Sequence, residues 1–235
     1  MKILITAGGT REDIDTVRGI ANYSTGRLGS LIADRFMQAG SAITYICGEG
    51  AALPACKENI EIIPIRNVAQ LQEKLAQALH FARYDCVIHS MAVSDYSPYR
   101  VASLDTLEEK LDLTDLMSVA AASSKKISSD SPYLALILKR QPKVIQCIKE
   151  IQPDTLLVGF KLLSDVGEAD LVQAARRLMV QSRADFVLAN DLKDISSEIH
   201  KALLIDQNGV VGRGCFKEEI AEMIFGVVSG IVRLG

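Results

Sequence analysis

Short apolar runs alternate with longer segments of helical periodicity from the first residues of the chain onward. Residues 2–7 (KILITA) form an apolar run that predicts a buried strand. Residues 28–40 place apolar side chains three and four positions apart and end at Gly40, which predicts a helix. This alternation favours a mostly parallel sheet with helices on both faces, so we predict a Rossmann-like α/β fold.

The same patterns continue to the C-terminus. Further strands are predicted at residues 43–47, 60–65, 85–91, 134–138, 155–160 and 184–189. Further helices are predicted at 68–81, 168–182 and 218–232. The pair Asn208-Gly209 lies between two apolar runs, and this pattern predicts a C-terminal β-hairpin over residues 203–211.

Residues 1–235 are expected to form one nucleotide-binding α/β domain, because this length builds one large core and leaves little for a second. One segment departs from the alternation. Residues 96–130 combine turn residues, a short predicted helix around 104–122 and the Ser/Lys cluster SSKKISSDS. Long irregular segments in compact domains are usually lids, binding loops or disordered, so we predict a mobile loop there.

Composition excludes several classes of protein. Apolar residues make up 49% of the chain, which argues against disorder, and a net charge of −3 gives no basic field for nucleic acid or anionic membranes. The five cysteines form no CxxC pair, as is typical of reduced cytosolic thiols. The N-terminus does not resemble a signal peptide, and no apolar run reaches the roughly 18–20 residues of a membrane span. We therefore expect a cytoplasmic protein.

The first candidate ligand-binding segment is TAGGT, residues 6–10, directly after the first predicted strand. Gly8 and Gly9 let backbone N–H groups approach an anion, and Thr10 adds a hydroxyl donor. An ordinary tight turn explains the glycines equally well. The segment lacks both the GxGxxG dinucleotide fingerprint and the GK[ST] ending of a P-loop, which disfavours a dehydrogenase and a P-loop kinase.

A second candidate segment, ANYSTGRLG at residues 21–29, precedes the first long predicted helix. It provides Asn22, Ser24, Gly26 and Arg27 beside a helix N-terminus. Unpaired N–H groups and the helix dipole favour a polyanion there, and Arg27 is able to clamp phosphate oxygens. A capped helix with a solvated arginine is the alternative. TAGGT and ANYSTGRLG are both suited to bind phosphate and flank one strand–helix unit, which together favours a nucleotide site.

Three further polar segments follow predicted strands at their carboxyl ends. AVSDY contributes Ala92 and Asp95, GFK contributes Phe160 and Lys161, and AND contributes Asn190 and Asp191. Ligands of open parallel sheets bind outside these strand ends, so the three segments are candidates for the same site. Each also has a structural interpretation: an Asx turn at Asp95, core packing of Phe160 and turn closure at Asn190.

Lys125 and Lys126 lie within the 96–130 segment. A loop lysine can neutralise a phosphate during reaction, although a solvated charge pair is the simpler interpretation. The three histidines show no metal-ligand spacing, and we expect His89 to be a hydrogen-bonded structural residue. No Ser/His/Asp or Cys/His arrangement indicates a nucleophile. The sequence therefore predicts neither a protein-held metal nor nucleophilic hydrolysis.

Taken in order, these segments resemble the phosphopantothenate–cysteine ligase family. ITAGGTREDID followed by VRGIANYSTGRLG resembles the family's opening signature, AVSDY resembles its central motif, and VGFKLLSD and ADFVLAND resemble its later motifs. The resemblance extends over nearly the whole chain, and four motifs in register make it specific. The chain has no flavin decarboxylase half and so resembles the monofunctional form.

The resemblance implies a ligase of coenzyme A biosynthesis that joins 4'-phosphopantothenate to L-cysteine. The phosphopantothenate carboxylate attacks the α-phosphate of a nucleoside triphosphate, which gives an acyl-nucleotide and pyrophosphate, and the cysteine amine then expels the nucleotide monophosphate. Positioning and electrostatic stabilisation carry such a reaction without a protein nucleophile. CTP is favoured over ATP, Mg²⁺ is expected on the triphosphate, and the partner in a homodimer is expected to cover part of the site.

The resemblance also implies roles for individual residues. Asn22 holds the acyl intermediate through its side-chain amide, and Lys126 is the catalytic lysine of the family's mobile loop. The phosphate region is assigned to Gly8, Gly9, Thr10, Ser24, Gly26 and Arg27. The base and ribose are assigned to Ala92 and Asp95, and Asn190 is placed near the substrate. Phe160 is a nucleotide-binding candidate from its position alone, because an aromatic ring at a strand end is able to pack against the base.

The lysine loop departs from the family pattern. Ser128 and Ser129 stand where basic residues are common, and Lys126 follows Asp95 by 31 positions (126 − 95), so Lys125 is a rival to Lys126. Because this loop has fewer basic residues than the family pattern, a second hypothesis is a non-catalytic nucleotide-binding regulatory protein on the same fold. A Rossmann-type oxidoreductase is a third hypothesis, which the missing GxGxxG disfavours. A thermal-shift comparison of NADPH with CTP distinguishes it from the ligase.

Overall fold

The structure is a computed structural model, and it describes residues 1–104, 126–128 and 130–232. The strands are β1 (Lys2–Ala7), β2 (Arg11–Asp13), β3 (Gly19–Ala21), β4 (Ala42–Gly48), β5 (Ile60–Ile65), β6 (Cys86–His89), β7 (Tyr96–Leu104), β8 (Tyr133–Arg140), β9 (Leu156–Leu163), β10 (Phe186–Asp191), β11 (Ala202–Ile205) and β12 (Val210–Gly214). The helices are α1 (Arg27–Gln38), α2 (Val68–Phe81), α3 (Val144–Ile151), α4 (Glu168–Ser182) and α5 (Lys217–Val232), with a 3₁₀ turn at Leu192–Asp194.

Eight strands form the central sheet in the order β12-β11-β10-β9-β6-β1-β4-β5. The six strands from β10 to β5 pair in parallel, whereas β11 and β12 are antiparallel. The predicted α/β fold and its C-terminal hairpin are therefore confirmed. Because β1, β6 and β9 are neighbours, their carboxyl ends meet at one edge of the sheet, where parallel α/β folds bind ligands.

Both faces of the sheet are buried, which explains why its strands read as continuous apolar runs. Along β1, Ile3 and Ile5 belong to the core beneath α1 and α5, and Leu4 belongs to the core beneath α2, α3 and α4. Phe36 of α1 meets Phe225 of α5 edge to face, with ring centroids 5.2 Å apart. This aromatic pair packs α1 against α5 on the same face of the sheet.

Two small antiparallel sheets lie apart from the central one. The pair β2–β3 directly follows β1, and its three-residue strands are too short to give a periodic signal. The strand predicted at 134–138 is present within β8, but it pairs with β7 and does not join the central sheet. The predicted loop at 96–130 therefore begins as a strand, since residues 96–104 form β7. Its predicted helix at 104–122 falls almost entirely outside the described residues.

Helix α3 was not predicted from the sequence, because its eight residues are near the shortest length that a helical period can reveal.

The five cysteines are free thiols, and burial raises the pKa of the Cys86 thiol. Within the described residues, no helix combines the length and the apolar character that crossing a membrane requires.

Candidate active site

The TAGGT and AVSDY segments meet beyond the carboxyl ends of β1 and β6. The Thr10 amide donates to the Ala92 carbonyl oxygen at 3.0 Å, and the Ala92 amide donates to the Gly8 carbonyl oxygen at 2.8 Å. These bonds continue the parallel pairing of β1 and β6 by one further bridge, between Gly9 and Ala92. The first and third sequence segments therefore form one continuous backbone surface.

The β2–β3 hairpin returns the chain so that Asn22 joins this surface. Arg11 pairs with Ala21 across the hairpin, which brings the Asn22 amide to 3.3 Å from the Thr10 carbonyl oxygen. The Asn22 side-chain amide donates to the Ala92 carbonyl oxygen at 3.1 Å and approaches the Ser94 hydroxyl at 3.3 Å. Asn22 is exposed to solvent, so its side chain is held in place and is still accessible to a ligand.

Two glycines allow the loops to approach this closely. A Cβ on Gly9 would lie 2.5 Å from the Asn22 carbonyl oxygen, so no larger residue fits without moving the Asn22 loop. Gly26 precedes α1 with a φ of +71°, a left-handed conformation that favours glycine, and a Cβ there would lie 3.1 Å from the Gly8 amide nitrogen. The predicted phosphate loops are thus in direct contact with each other.

The N-terminus of α1 opens onto this junction. Gly26 is its N-cap and provides no side-chain cap, and the first turn carries no acidic residue. No side chain of the first turn therefore offsets the positive end of the helix dipole, and this favours the binding of an anion there. The exposed Arg27 adds a positive charge at the first helical position, and the Ser24 amide turns back to the Asn22 carbonyl oxygen at 3.0 Å.

Ser94 is a site residue that the AVSDY pattern contains but that no sequence signal distinguishes from its neighbours. Its buried hydroxyl accepts a hydrogen bond from the Thr10 hydroxyl at 3.0 Å, and its amide donates to the Thr10 hydroxyl oxygen at 2.9 Å. The same Ser94 hydroxyl lies beside the Asn22 amide. Thr10 and Ser94 therefore support Asn22 from beneath.

Asp95 lies at the rim of the site rather than among these bonds. Its exposed carboxylate pairs with the ammonium group of Lys143, which stands just before α3. Lys143 was not predicted from sequence, since it falls in the missed α3 region. It also borders a cavity of about 450 Å³ between α3, α4 and the end of β9, whose charged lining residues are Lys143, Lys161, Asp170 and Arg177.

Phe160 and Lys161 occupy opposite faces of β9. Phe160 is half-buried and packs against the apolar core beneath α1 and α5. Lys161 faces the cavity on the other side. Core contact accounts for much of the Phe160 ring, and its assignment to the nucleotide stays a prediction.

Asn190 is not brought together with Asn22, because its strand β10 is separated from β1 by β6 and β9. It is buried, and its side-chain amide contacts the His200 ring at 3.2 Å. The neighbouring Asp191 accepts backbone hydrogen bonds from Asp165, Val166 and Lys193. These bonds hold the pKa of the Asp191 carboxyl at about 2, and they fix the loop after β9.

Lys126 is exposed and lies in a short described segment, residues 126–128. The next residue, Ile127, is hydrogen-bonded through its backbone to Asp15 and Arg18 at the turn of the β2–β3 hairpin. Lys125 lies outside the described residues. The structure therefore places the backbone beside Lys126 against the hairpin that carries Asn22, and the choice between the two lysines stays a prediction.

His89 lies at the end of β6, beneath the site, and its ring nitrogen is 2.8 Å from the Thr6 hydroxyl. Burial lowers the pKa of His89 to about 4, so the ring is neutral at physiological pH. This agrees with the structural role expected from sequence. Among the residues that the structure describes, no group of three or more His, Cys, Asp and Glu side chains is arranged to hold a metal ion.

Comparisons with known proteins identify the family. The family model of the DNA/pantothenate metabolism flavoprotein C-terminal domain matches residues 1–116 and 113–231. The coenzyme A biosynthesis bifunctional protein CoaBC of Thermococcus kodakarensis is 33% identical over 207 residues, which are 88% of this chain and 45% of that protein. The homologue from Methanocaldococcus jannaschii is 28% identical over 99% of this chain and 51% of its own length. The chain thus spans about half the length of the curated relatives it matches.

Solved structures agree with this assignment. A DNA/pantothenate metabolism flavoprotein from Streptococcus pneumoniae superimposes with a TM-score of 0.90 and 38% identity, over 98% of this chain and 99% of that one. A Cab2 mutant in complex with phosphopantothenate-cysteine shares the fold at a TM-score of 0.74 and 18% identity, over 99% of this chain and 86% of that one. The chain belongs to the family of the DNA/pantothenate metabolism flavoprotein C-terminal domain.

Proposed function

We propose that this chain is a phosphopantothenate–cysteine ligase of coenzyme A biosynthesis. The observation that carries the proposal is the junction at Asn22, where an accessible side-chain amide is held between the TAGGT and AVSDY segments beside the N-terminus of α1. The coenzyme A biosynthesis proteins related to this chain support the same activity. An amide donor beside a site for phosphates suits a reaction that passes through an acyl phosphate group.

The proposed reaction has two steps. The carboxylate of phosphopantothenate attacks the α-phosphate of CTP, and pyrophosphate leaves. The amine of cysteine then attacks the acyl carbon of the acyl-cytidylate, and CMP leaves. Asn22 stabilises the acyl group through its amide, while Arg27 and the N-terminus of α1 offset the negative charge of the phosphates. The protein contributes position and charge stabilisation and forms no covalent bond.

The base and ribose have a candidate cavity between α3, α4 and the end of β9. The cavity of about 450 Å³ borders on Lys143, whose ammonium group pairs with Asp95 at the carboxyl edge of the sheet. We infer that the base and ribose occupy this side, so that the triphosphate runs toward Gly8 and Gly26. CTP is favoured over ATP as the co-substrate. Mg²⁺ would enter bound to the triphosphate and would offset part of its negative charge.

We further propose that the protein is a cytoplasmic homodimer in which the partner covers part of the site. Strand β8 of the separate β7–β8 hairpin exposes Leu134 and Leu138 on one face and Tyr133 on the other, each 41–42% accessible. Covering such a surface favours association. Sedimentation equilibrium of the wild type and of Leu138→Lys tests this assembly. A monomeric wild type at micromolar concentration contradicts it.

The activity is tested by mixing the protein with phosphopantothenate, cysteine and Mg²⁺, and by measuring pyrophosphate release with CTP and, separately, with ATP. Release with CTP and phosphopantothenate but without cysteine, limited to about one equivalent per site, is expected for an acyl-cytidylate intermediate. Absence of release with both nucleotides rejects the ligase. Tight CTP binding without pyrophosphate release would instead indicate a non-catalytic nucleotide-binding regulatory protein.

A further inference from the structure

The turn of the β2–β3 hairpin holds a distant piece of chain through one carboxylate. Asp15 accepts a hydrogen bond from the Ile127 amide at 3.1 Å, although the two residues are 112 positions apart. The Arg18 guanidinium donates to the Ile127 carbonyl oxygen at 2.9 Å and to the Asp15 carboxylate at 2.6 Å. Both backbone groups of Ile127 are thus bound to one ion pair.

The Asp15 carboxylate is fully committed to these bonds. Its side chain has no exposed surface, and its other oxygen accepts the amides of Val17 and Arg18 at 2.9 and 2.8 Å. The Arg18 side chain and these amides hold the pKa of the Asp15 carboxyl far below its usual range. The Asp15 carboxylate therefore stays ionised at every pH at which the protein is expected to work.

The hairpin is itself a fixed support. The buried Glu12 of β2 accepts the amide of Val68 at 2.9 Å, which ties the hairpin to the start of α2. Its other strand, β3, ends directly before Asn22, so Arg18 and Asn22 are about 13 Å apart at roughly 3.3 Å per residue. A segment bound at the turn is therefore held at a set distance from the candidate active site.

We propose that Asp15 is a positioning residue that acts, together with Arg18, by holding the backbone of Ile127 and so placing Lys126 over the site. This inference rests on the proposed ligase function for the role of Lys126, and on the hydrogen bonds alone for the anchor. Asp15 itself touches no substrate. Its effect on the reaction passes through the neighbouring lysine.

Asp15→Asn is expected to disrupt the bonds to Ile127 and to leave the hairpin turn intact. In this variant the amide oxygen still accepts the Val17 and Arg18 amides, so the turn keeps its cap. The amide nitrogen then faces the Arg18 guanidinium and the Ile127 amide, and donors face donors. Asp13→Asn is the matched control, because it makes the same chemical change on the same hairpin, where the ion pairs of Asp13 among the described residues are those with Arg66 and Arg11.

Two measurements test the proposal. Hydrogen exchange of the Ile127 amide is expected to accelerate in Asp15→Asn and to stay at the wild-type rate in Asp13→Asn. The kcat for pyrophosphate release is expected to fall about 10- to 100-fold in Asp15→Asn and to change less than about twofold in Asp13→Asn. In a Lys126→Ala background, Asp15→Asn is expected to cause no further loss, because both changes remove the same interaction.

Each result decides one point. Unchanged exchange at Ile127 overturns the anchor whether or not the protein is a ligase. Accelerated exchange with an unchanged kcat, or with losses that multiply in the double variant, overturns the link to Lys126. A wild type without pyrophosphate release rejects the proposed function and leaves the exchange measurement to decide the anchor. Circular dichroism and the Tm of Asp15→Asn confirm that the variant folds, and Arg18→Gln is the second variant if it does not.

Discussion

The side-chain amide of Asn22 donates to the backbone carbonyl oxygen of Ala92 at 3.1 Å across 70 positions of sequence. This bond links the loop that precedes α1 to the loop that follows β6. Neither loop forms the junction alone, because Ala92 is held by Gly8 and Thr10 at the end of β1. The orientation of Asn22 therefore depends on three separate segments.

The first prediction concerns Asn22→Asp. The variant replaces the amide that donates to the acyl group by a carboxylate, which cannot donate, so kcat is expected to fall about 100- to 1000-fold. CTP affinity by calorimetry and the Tm are expected to change little, since Asn22 is exposed. Asn59→Asp, an exposed position far from the junction, is the control for the charge change. Wild-type turnover of Asn22→Asp would remove Asn22 from its assigned role.

The second prediction compares two glycine variants. A Cβ at Gly9 meets the Asn22 carbonyl oxygen at 2.5 Å, so Gly9→Ala is expected to destabilise the protein by about 1–3 kcal/mol and to reduce activity. Gly226 is exposed in α5 and has no atom within 4 Å of an added Cβ, so Gly226→Ala is expected to stabilise by about 0.5–1 kcal/mol. Urea unfolding measures both. Equal stabilities of the two variants would contradict the packing argument.

The third prediction is a pH dependence of stability that arises from His89. Its pKa is about 4 in the folded protein against about 6.5 when unfolded, so the unfolded chain binds the proton first as the pH falls. The contribution of neutral His89 to the free energy of unfolding is therefore expected to be fully present above about pH 6.5. The free energy of unfolding is expected to decrease by about 2 kcal/mol between pH 7.5 and 5. His89→Asn should lose much of this slope, whereas the exposed His80→Asn should keep it. If the free energies of unfolding of the two variants had the same pH dependence, the effect would arise from groups other than His89.

The fourth prediction concerns Asp191, which binds the loop between β9 and α4. In Asp191→Ala, the amides of Asp165, Val166 and Lys193 lose their acceptor, and the Tm is expected to fall by about 5 °C. CTP affinity is expected to weaken as well, because Val166 lines the cavity. Within the part of the chain that the structure describes, Asp194→Ala removes one exposed ion pair, with Lys201, and it serves as the control. An Asp191→Ala protein with unchanged CTP affinity would place the nucleotide elsewhere.

Local patterns were sufficient for the long elements. The helices at 68–81 and 168–182 and the strands at 2–7 and 60–65 match their predicted bounds, because each carries its own apolar period over at least one full repeat. Strands β2 and β3 and helix α3 were not predicted, because they are too short to show an apolar period. The pairing of β8 was not predicted either, since the alternation within a strand does not specify its partner.

The sequence by itself determined that TAGGT, ANYSTGRLG and AVSDY lie where a strand ends or a helix begins, because glycines and hydroxyl residues interrupt apolar periods at those points. Only the tertiary structure decided that they meet at Asn22, that Ser94 supports them and that Lys143 pairs with Asp95. It also placed Asn190 against His200, away from this junction. The physical reason is range: periodicity reports contacts within a few residues, whereas these bonds join residues 10 to 72 positions apart and depend on the order of strands in the sheet.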